Sequence, residues 1–220
     1  SRNVGPKQIA RKMGLRPAEV KAIIKQQSEQ GAIQRELPPF RAALVNDHAA
    51  QYLLHKKKLN LEQDGVGGMA QVILLRVDER DHHWGSSYMV DYWRLGVKNT
   101  FGPRQMSRRQ YDDMLWSTED QFSQAFQEIT LAETQAIIFG AVDYAAGLGI
   151  EPHADFRRSR SHLGPRQGDL MELEFGLNGQ PYFIAGPYDR PEKILPRLQA
   201  SVGEGNFRYL QGPGPVPSLI

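Results

Sequence analysis

Three groups of side chains in this sequence have the types and spacing to do chemistry, and a fourth has the charge to hold a polyanion. His153 and Asp155 stand two residues apart in Glu151-Pro152-His153-Ala154-Asp155-Phe156. On extended backbone that spacing puts both side chains on one side, which suits two metal ligands or a general base with its orienting carboxylate. Joined by Asp91, they would form a two-carboxylate, one-histidine set suited to phosphodiester hydrolysis with magnesium or manganese. The plainer assignment makes Asp155 a turn cap and gives His153 a hydrogen bond at a helix end. Asp91 falls on a strand face shared with Met89, Trp93 and Leu95. It is therefore expected to be a buried carboxylate that needs a cationic partner, with Arg94 or Lys98 in reach.

The second group is Asp78, Glu79, Asp81, His82 and His83. Its donors suit a metal, but adjacent residues in a turn diverge, so the group reads as an exposed polar turn and no metal is expected. The third is Arg157, Arg158, Arg160, His162 and Arg166 beside Phe156. Guanidinium groups fork onto phosphates, so this cluster is a candidate nucleic-acid contact. Its alternative partner is the stretch 119–143, which has five acidic residues and no basic one. The fourth is the row Lys7, Arg11, Lys12, Arg16, Lys21, Lys25 and Ser28. Ser86 and Ser87 lack a Gly-x-Ser-x-Gly elbow, which leaves a serine hydrolase without support. No nucleotide-binding GxGxxG or GxxxxGK[ST] occurs, and no cofactor is expected.

Charge separates these groups along the chain. The 220 residues carry 27 Lys plus Arg against 25 Asp plus Glu, net +2. Residues 1–63 hold 12 basic and 5 acidic residues, net +7, whereas 64–220 hold 15 and 20, net −5. A basic module that meets a polyanion, attached to a near-neutral body, would be distributed this way; a solvated basic face is the alternative. The absence of cysteine excludes disulfides, zinc ribbons, iron–sulfur clusters and thiol nucleophiles. No stretch approaches 18 consecutive apolar residues, and residues 1–12 form no apolar signal core, so the expected setting is cytoplasmic, with no membrane partner. Serine at position 1 admits a preceding segment.

The elements that must position these residues fall into two parts and a tail: a basic helical module over 1–63, an α+β domain over 64–211, and a flexible end at 212–220. In the first part, Ile9, Val20 and Ile23 supply contacts between two short helices. Ala10 permits their close approach, Gly14 makes the turn and Leu15 plugs it, Pro17 starts the second helix and Gly31 stops it. The stretch 39–58, with Phe40, Leu44, Tyr52 and Leu53, is expected to add a third helix.

In the second part, MAQVILLRVD and SSYMVDYWRLGV are expected as an antiparallel hairpin. Helices are expected over 107–116 and 119–147. A second hairpin, 169–175 with 181–185, should turn at Asn178-Gly179. Asp189 should cap a last helix starting at Pro191, with Ile194, Leu195 and Leu198 inward.

Residues 5–33 resemble the helix-turn-helix and winged-helix modules of bacterial regulators and those that precede some bacterial ribonucleases. The resemblance implies that the second helix enters a groove, presenting Arg16, Lys21, Lys25 and Ser28, with Lys7, Arg11 and Lys12 near phosphates. Further phrases, Met89-Val90-Asp91 with Leu95-Gly96-Val97-Lys98-Asn99, GAVDYAAGLGIEPHADF and FGLNGQPYFIAGPYD, are similar to a group of bacterial proteins of uncharacterised activity, over most of Met69 to Leu210. That likeness brings over no site residues.

The reading is a bacterial nucleic-acid-binding protein acting on DNA or structured RNA. A metal-dependent phosphodiester hydrolase is one alternative. Another is a protein-interaction adaptor on a larger assembly, using Tyr88, Tyr92, Trp93 and the proline-rich tail.

Overall fold

The computed structural model describes Arg16 and residues 37–58, 67–186 and 189–210. The expected helix-turn-helix over 5–33, the domain boundary at 63/64 and the tail from 212 lie outside these. Compactness divides the chain at a different place, between Leu37 and Pro38. The unit that begins at Pro38 is an α+β structure.

Five strands form an antiparallel sheet in the order β4-β3-β2-β1-β5: β1 Phe40–Asn46, β2 Met69–Val77, β3 His83–Asp91, β4 Gly96–Met106 and β5 Phe126–Ile129. Helix α1, Asp47–Leu53, follows β1 directly. Helix α2 (Arg108–Phe122) lies on one sheet face and α3 (Leu131–Gly147) on the other. The short α4 (Phe156–Ser159) runs into a 3-10 turn, Arg160–Leu163. Strand β6 (Tyr182–Ile184), α5 (Pro191–Val202) and β7 (Arg208–Leu210) complete the unit. Among the described residues no helix is long and apolar enough to cross a membrane.

Strand β2 reads as a continuous apolar run because both of its faces are covered. Val72 and Leu74 pack with Ile137, Ile138 and Ala141 of α3, while Ile73 and Leu75 pack with Tyr111, Met114 and Leu115 of α2. The same two-sided burial holds β1, with Ala43 and Val45 toward α3 and Ala42 and Leu44 toward the α2 side. The stretch expected as a third helix is thus half strand. Phe40–Asn46 sits between β2 and β5, and only Asp47–Leu53 is helical.

Three further expectations change. The run expected as one strand, 86–97, is β3, a tight turn at 92–95, and β4. The long helix expected over 119–147 is broken. Helix α2 ends at Ser123 in a left-handed conformation with φ 50°, Phe126–Ile129 pairs with β1, and α3 starts afresh. That restart is written in the sequence as a capping box, in which the Thr130 hydroxyl accepts from the Glu133 amide and the Glu133 carboxylate accepts from the Thr130 amide.

Finally, the Asn178-Gly179 turn forms, with φ 54° and 78°, but the flanking arms do not zip into a hairpin. Gly176 N–H donates to the Tyr92 carbonyl and Tyr182 N–H to that of Trp93, so the 92–95 turn takes the arms' backbone groups. Strand β6 pairs instead with β7, in parallel.

Candidate nucleic-acid interface

Register decides which side chains of β4 share a face. Phe101 stands opposite Ser87, Asn99 opposite Met89, Arg104 opposite Gly85 and Met106 opposite His83. Gln71 on β2 stands opposite Met89. Directly paired residues point the same way, so these side chains belong to the face that α2 covers at Ile73 and Leu75. The helix reaches β3 at Gly85, where Met114 stands, but it does not cover Phe101 on β4. Phe101 remains 44% exposed there, on an edge strand of the sheet.

Three adjoining clefts meet at Phe101. One of about 400 Å³ runs toward Met114 of α2 and includes Arg104 and Met106. One of about 160 Å³ lies between the sheet and α2, lined by Gln71, Met89, Asn99 and Gln121 among others. The third, about 350 Å³, lies at the strand's outer side, where Thr100–Arg104 meets Asp155 and Arg158. The last junction exists because His153 N–H donates to the Val97 carbonyl at 2.9 Å, which ties the segment leading into α4 to the start of β4. Gly102, at φ +87°, lets β4 lie close on β3 here, since a Cβ would stand 2.5 Å from the Gly85 carbonyl oxygen.

The arginine cluster is sorted by this arrangement. Arg157, Arg158 and Arg160 are exposed. Among the described residues neither Arg157 nor Arg158 makes an ion pair, whereas Arg160 lies over the Phe139 ring at 5.8 Å. Arg166 pairs with Asp143, the alternative partner expected from the acidic stretch. Phe156 and His162 are buried and take no part in the exposed cluster. Arg104 carries no signal in the sequence, yet it too is exposed and without an ion pair among the described residues, and it lines the same cleft as Arg158. A guanidinium on a strand edge has no motif of its own.

The other candidates occupy separate places. Asp91 is buried and fully engaged. Its Oδ1 accepts from the Trp93 and Arg94 amides at 3.2 and 3.0 Å, and its Oδ2 from Arg94 Nη2 at 3.1 Å. Burial pushes this carboxyl upward while Arg94 and Lys98 pull it down. Burial likewise lowers Arg94, to about 10. His153 and Asp155 are exposed neighbours 3.6 Å apart, and His153 Nδ1 accepts the Asp155 amide at 3.3 Å. Asp155 stands at the N-cap position of α4 without a side-chain cap. No group of three metal-type side chains gathers among the described residues, so Asp91 does not join that pair.

In the 78–83 turn, Asp78 Oδ1 accepts from the Arg80 and His82 amides and Oδ2 pairs with His82 Nδ1, while His83 Nδ1 donates to the Asp81 carbonyl. The hydrogen bond from the His82 amide holds the Asp78 carboxyl low. The aromatic surface expected for an adaptor is internal, since Tyr88, Tyr92 and Trp93 are buried. Lys7, Arg11, Lys12, Lys21, Lys25 and Ser28 lie outside the described residues; Arg16 is exposed.

A serine–histidine pair leaves no mark in the sequence. Ser86 Oγ lies 2.7 Å from His162 Nδ1, with both residues buried. Burial, then the nearby Arg76, depresses the imidazole to about 3. Arg76 closes the place by donating to the His162, Leu163 and Pro38 carbonyls. An imidazole this weakly basic and this enclosed is a poor general base for a substrate; the pair braces the 3-10 turn against β3. Residues 76 positions apart give no local signal. Comparison of the chain with protein-family models, with curated proteins and with solved structures finds no match.

Proposed function

We propose that this chain binds nucleic acid. The body offers Arg104, Arg157 and Arg158 to phosphates, and the basic amino-terminal segment, resembling a helix-turn-helix, offers Lys7, Arg11, Lys12, Arg16, Lys21, Lys25 and Ser28. The observation that carries the reading is the meeting of Arg104 and Arg158, both without a carboxylate partner among the described residues, in one open cleft beside an exposed aromatic ring. Asp155 is the single acidic side chain among the described residues that line that cleft. Guanidinium groups left unpaired on a surface are those that phosphates can take without first breaking an ion pair. Among the described residues no ligand set for hydrolysis gathers.

The test is fluorescence anisotropy of the full chain against labelled DNA and RNA over a range of salt. Affinity should fall log-linearly with salt, and Arg104→Ala with Arg158→Ala together should flatten the slope by roughly 1.4 to 1.8, the counterions of two phosphates. Absence of binding at low salt sinks the proposal, and an unchanged slope removes these arginines from it.

A further inference from the structure

We propose that the open half of the sheet, beside α2, takes an unpaired base of a single-stranded nucleic acid stacked on Phe101, with the flanking phosphates on Arg104 and Arg158. This rests on the nucleic-acid reading above and adds to it the form of the polymer. Four observations lead there.

The sheet face is covered by α2 at Ile73, Leu75 and Gly85 and left open at Phe101 on the edge strand β4. Of the large apolar side chains there, Met89, Phe101 and Met106, only Phe101 is exposed, at 44%. A half-exposed ring on an edge strand is a surface on which another flat π system can stack, and every base has one. In a duplex the base faces are already stacked, so only an unpaired base can use it.

The second observation is polar. Gln71 is only 7% exposed, lines the cleft next to Phe101, and its side-chain amide makes no hydrogen bond among the described residues. Its backbone N–H alone is satisfied, by Asn46 Oδ1. A nearly buried amide whose remaining opening is into a cleft has donors and an acceptor that a ligand in that cleft can take. Gln121 of α2 lines the same cleft and is likewise unbonded among them, and of the Asn99 side chain only Oδ1 is used there, by the Thr100 amide. Amides bond the edges of bases and are of little use to a lipid or an apolar peptide.

The third is charge. Arg104 and Arg158 stand in the neighbouring cleft on the other side of Phe101, each without an ion pair among the described residues. A base on the ring with cations at its side matches the repeating unit of a nucleic-acid strand. The fourth is continuity. Phe101 lines all three clefts, so a strand crossing it keeps to one trough from the amide side to the arginine side.

The experiment uses the full chain with a fluorescein-labelled 12-nucleotide single strand of mixed sequence, as DNA and as RNA, and with the duplex of the same sequence. Phe101→Ala, Phe101→Tyr, Gln71→Ala and Arg158→Ala are compared with the parent, and circular dichroism verifies that each is folded. Phe101→Ala should weaken single-strand binding by about tenfold at unchanged salt slope, and Phe101→Tyr should restore it. Duplex binding should be indifferent to either change, and Arg158→Ala should flatten the slope instead.

If both Phe101 variants bind the single strand as the parent does, or if Phe101→Ala weakens duplex and single strand alike, the stacked base is wrong while nucleic-acid binding stands. If the parent binds none of the three probes at low salt, the nucleic-acid reading itself has failed. Should Phe101→Ala not fold, Gln71→Ala decides: it should weaken the single strand severalfold and leave the duplex unchanged, and single-strand binding equal to the parent's overturns the stacked base.

Discussion

Arg94 lies flat on Phe183, its guanidinium carbon 3.5 Å from the ring centroid, at a place solvent does not reach. One edge of the guanidinium meets Asp91, but Nε and Nη1 have no hydrogen-bond partner among the described residues. The ring face therefore supplies what hydrogen bonds do not, an electrostatic seat for a desolvated cation. The arrangement closes the 92–95 turn, on which β4 and hence the open sheet edge depend.

Removing either member should show how firmly the pair is committed. Asp91→Ala leaves a buried cation without its carboxylate and should cost about 3–5 kcal/mol in urea unfolding, as should Arg94→Ala. Asp91→Leu combined with Arg94→Met should cost clearly less than the two single changes added together, because no charge is then stranded. A single change costing under about 1 kcal/mol would show that the pair is not buried in solution.

Acid should weaken the protein through His162. Burial holds its folded pKa near 3, against the ordinary 6.5. The unfolded chain therefore binds the extra proton between those values, and stability is full above about pH 6.5 and falls as pH drops toward 3. The slope from this one group is at most about 1.4 kcal/mol per pH unit. Asp189 adds a loss at the acid end. Its burial raises the carboxyl, but the Lys98 hydrogen bond at 2.9 Å, with the Gly186 amide and the charges of Lys98 and Arg94, outweighs that and lowers it, so its contribution is present at neutral pH and lost as pH falls through the depressed value. Urea melts at about pH 7, 5.5 and 4.5 should decline steeply in the parent and less so in His162→Gln. Equal slopes in the two would place His162 at the surface.

The orientation of α2 can be read from its tryptophan. Of the three tryptophans Trp116 is 70% exposed, Trp84 is half-buried and Trp93 is 1% exposed. Acrylamide should quench one accessible component of the emission, and Trp116→Phe should remove most of it while shifting stability by no more than about 0.5 kcal/mol. If the quenchable fraction survives that change, α2 presents another face to solvent.

How much of this was legible in advance varies with the range of the interaction. Pro191 starts α5 and Gly147 ends α3 as their local chemistry requires. The β2–β3 hairpin follows from two apolar runs around a polar turn whose Asp78 side chain binds its own backbone. The 126–129 strand was hidden because Phe122, Phe126 and Ile129 also repeat at helical spacing, and only pairing with β1 makes the last two extended. Asp189 had the position of a helix cap but not the role. Arg190 is the N-cap residue of α5, and the Asp189 carboxylate goes to Lys98 and to the Gly186 amide, the first of them 91 positions away.

For the candidate interface, the sequence by itself determined that Arg157 and Arg158 form a dense cationic step next to His153 and Asp155, because that is composition. It also determined that Asp91 needs a cation and had Arg94 within reach, because one short turn separates them. The tertiary structure alone decided that β4 forms an edge, that its register turns Phe101 and Arg104 to the side α2 leaves open, and that α4 brings Arg158 against it. Those outcomes depend on strand pairing and on one backbone bond, from His153 to Val97, between groups far apart in the chain. Side chains do not encode such placement locally. It follows from burying β2 on both faces and satisfying the backbone around it, which is a property of the whole packed chain.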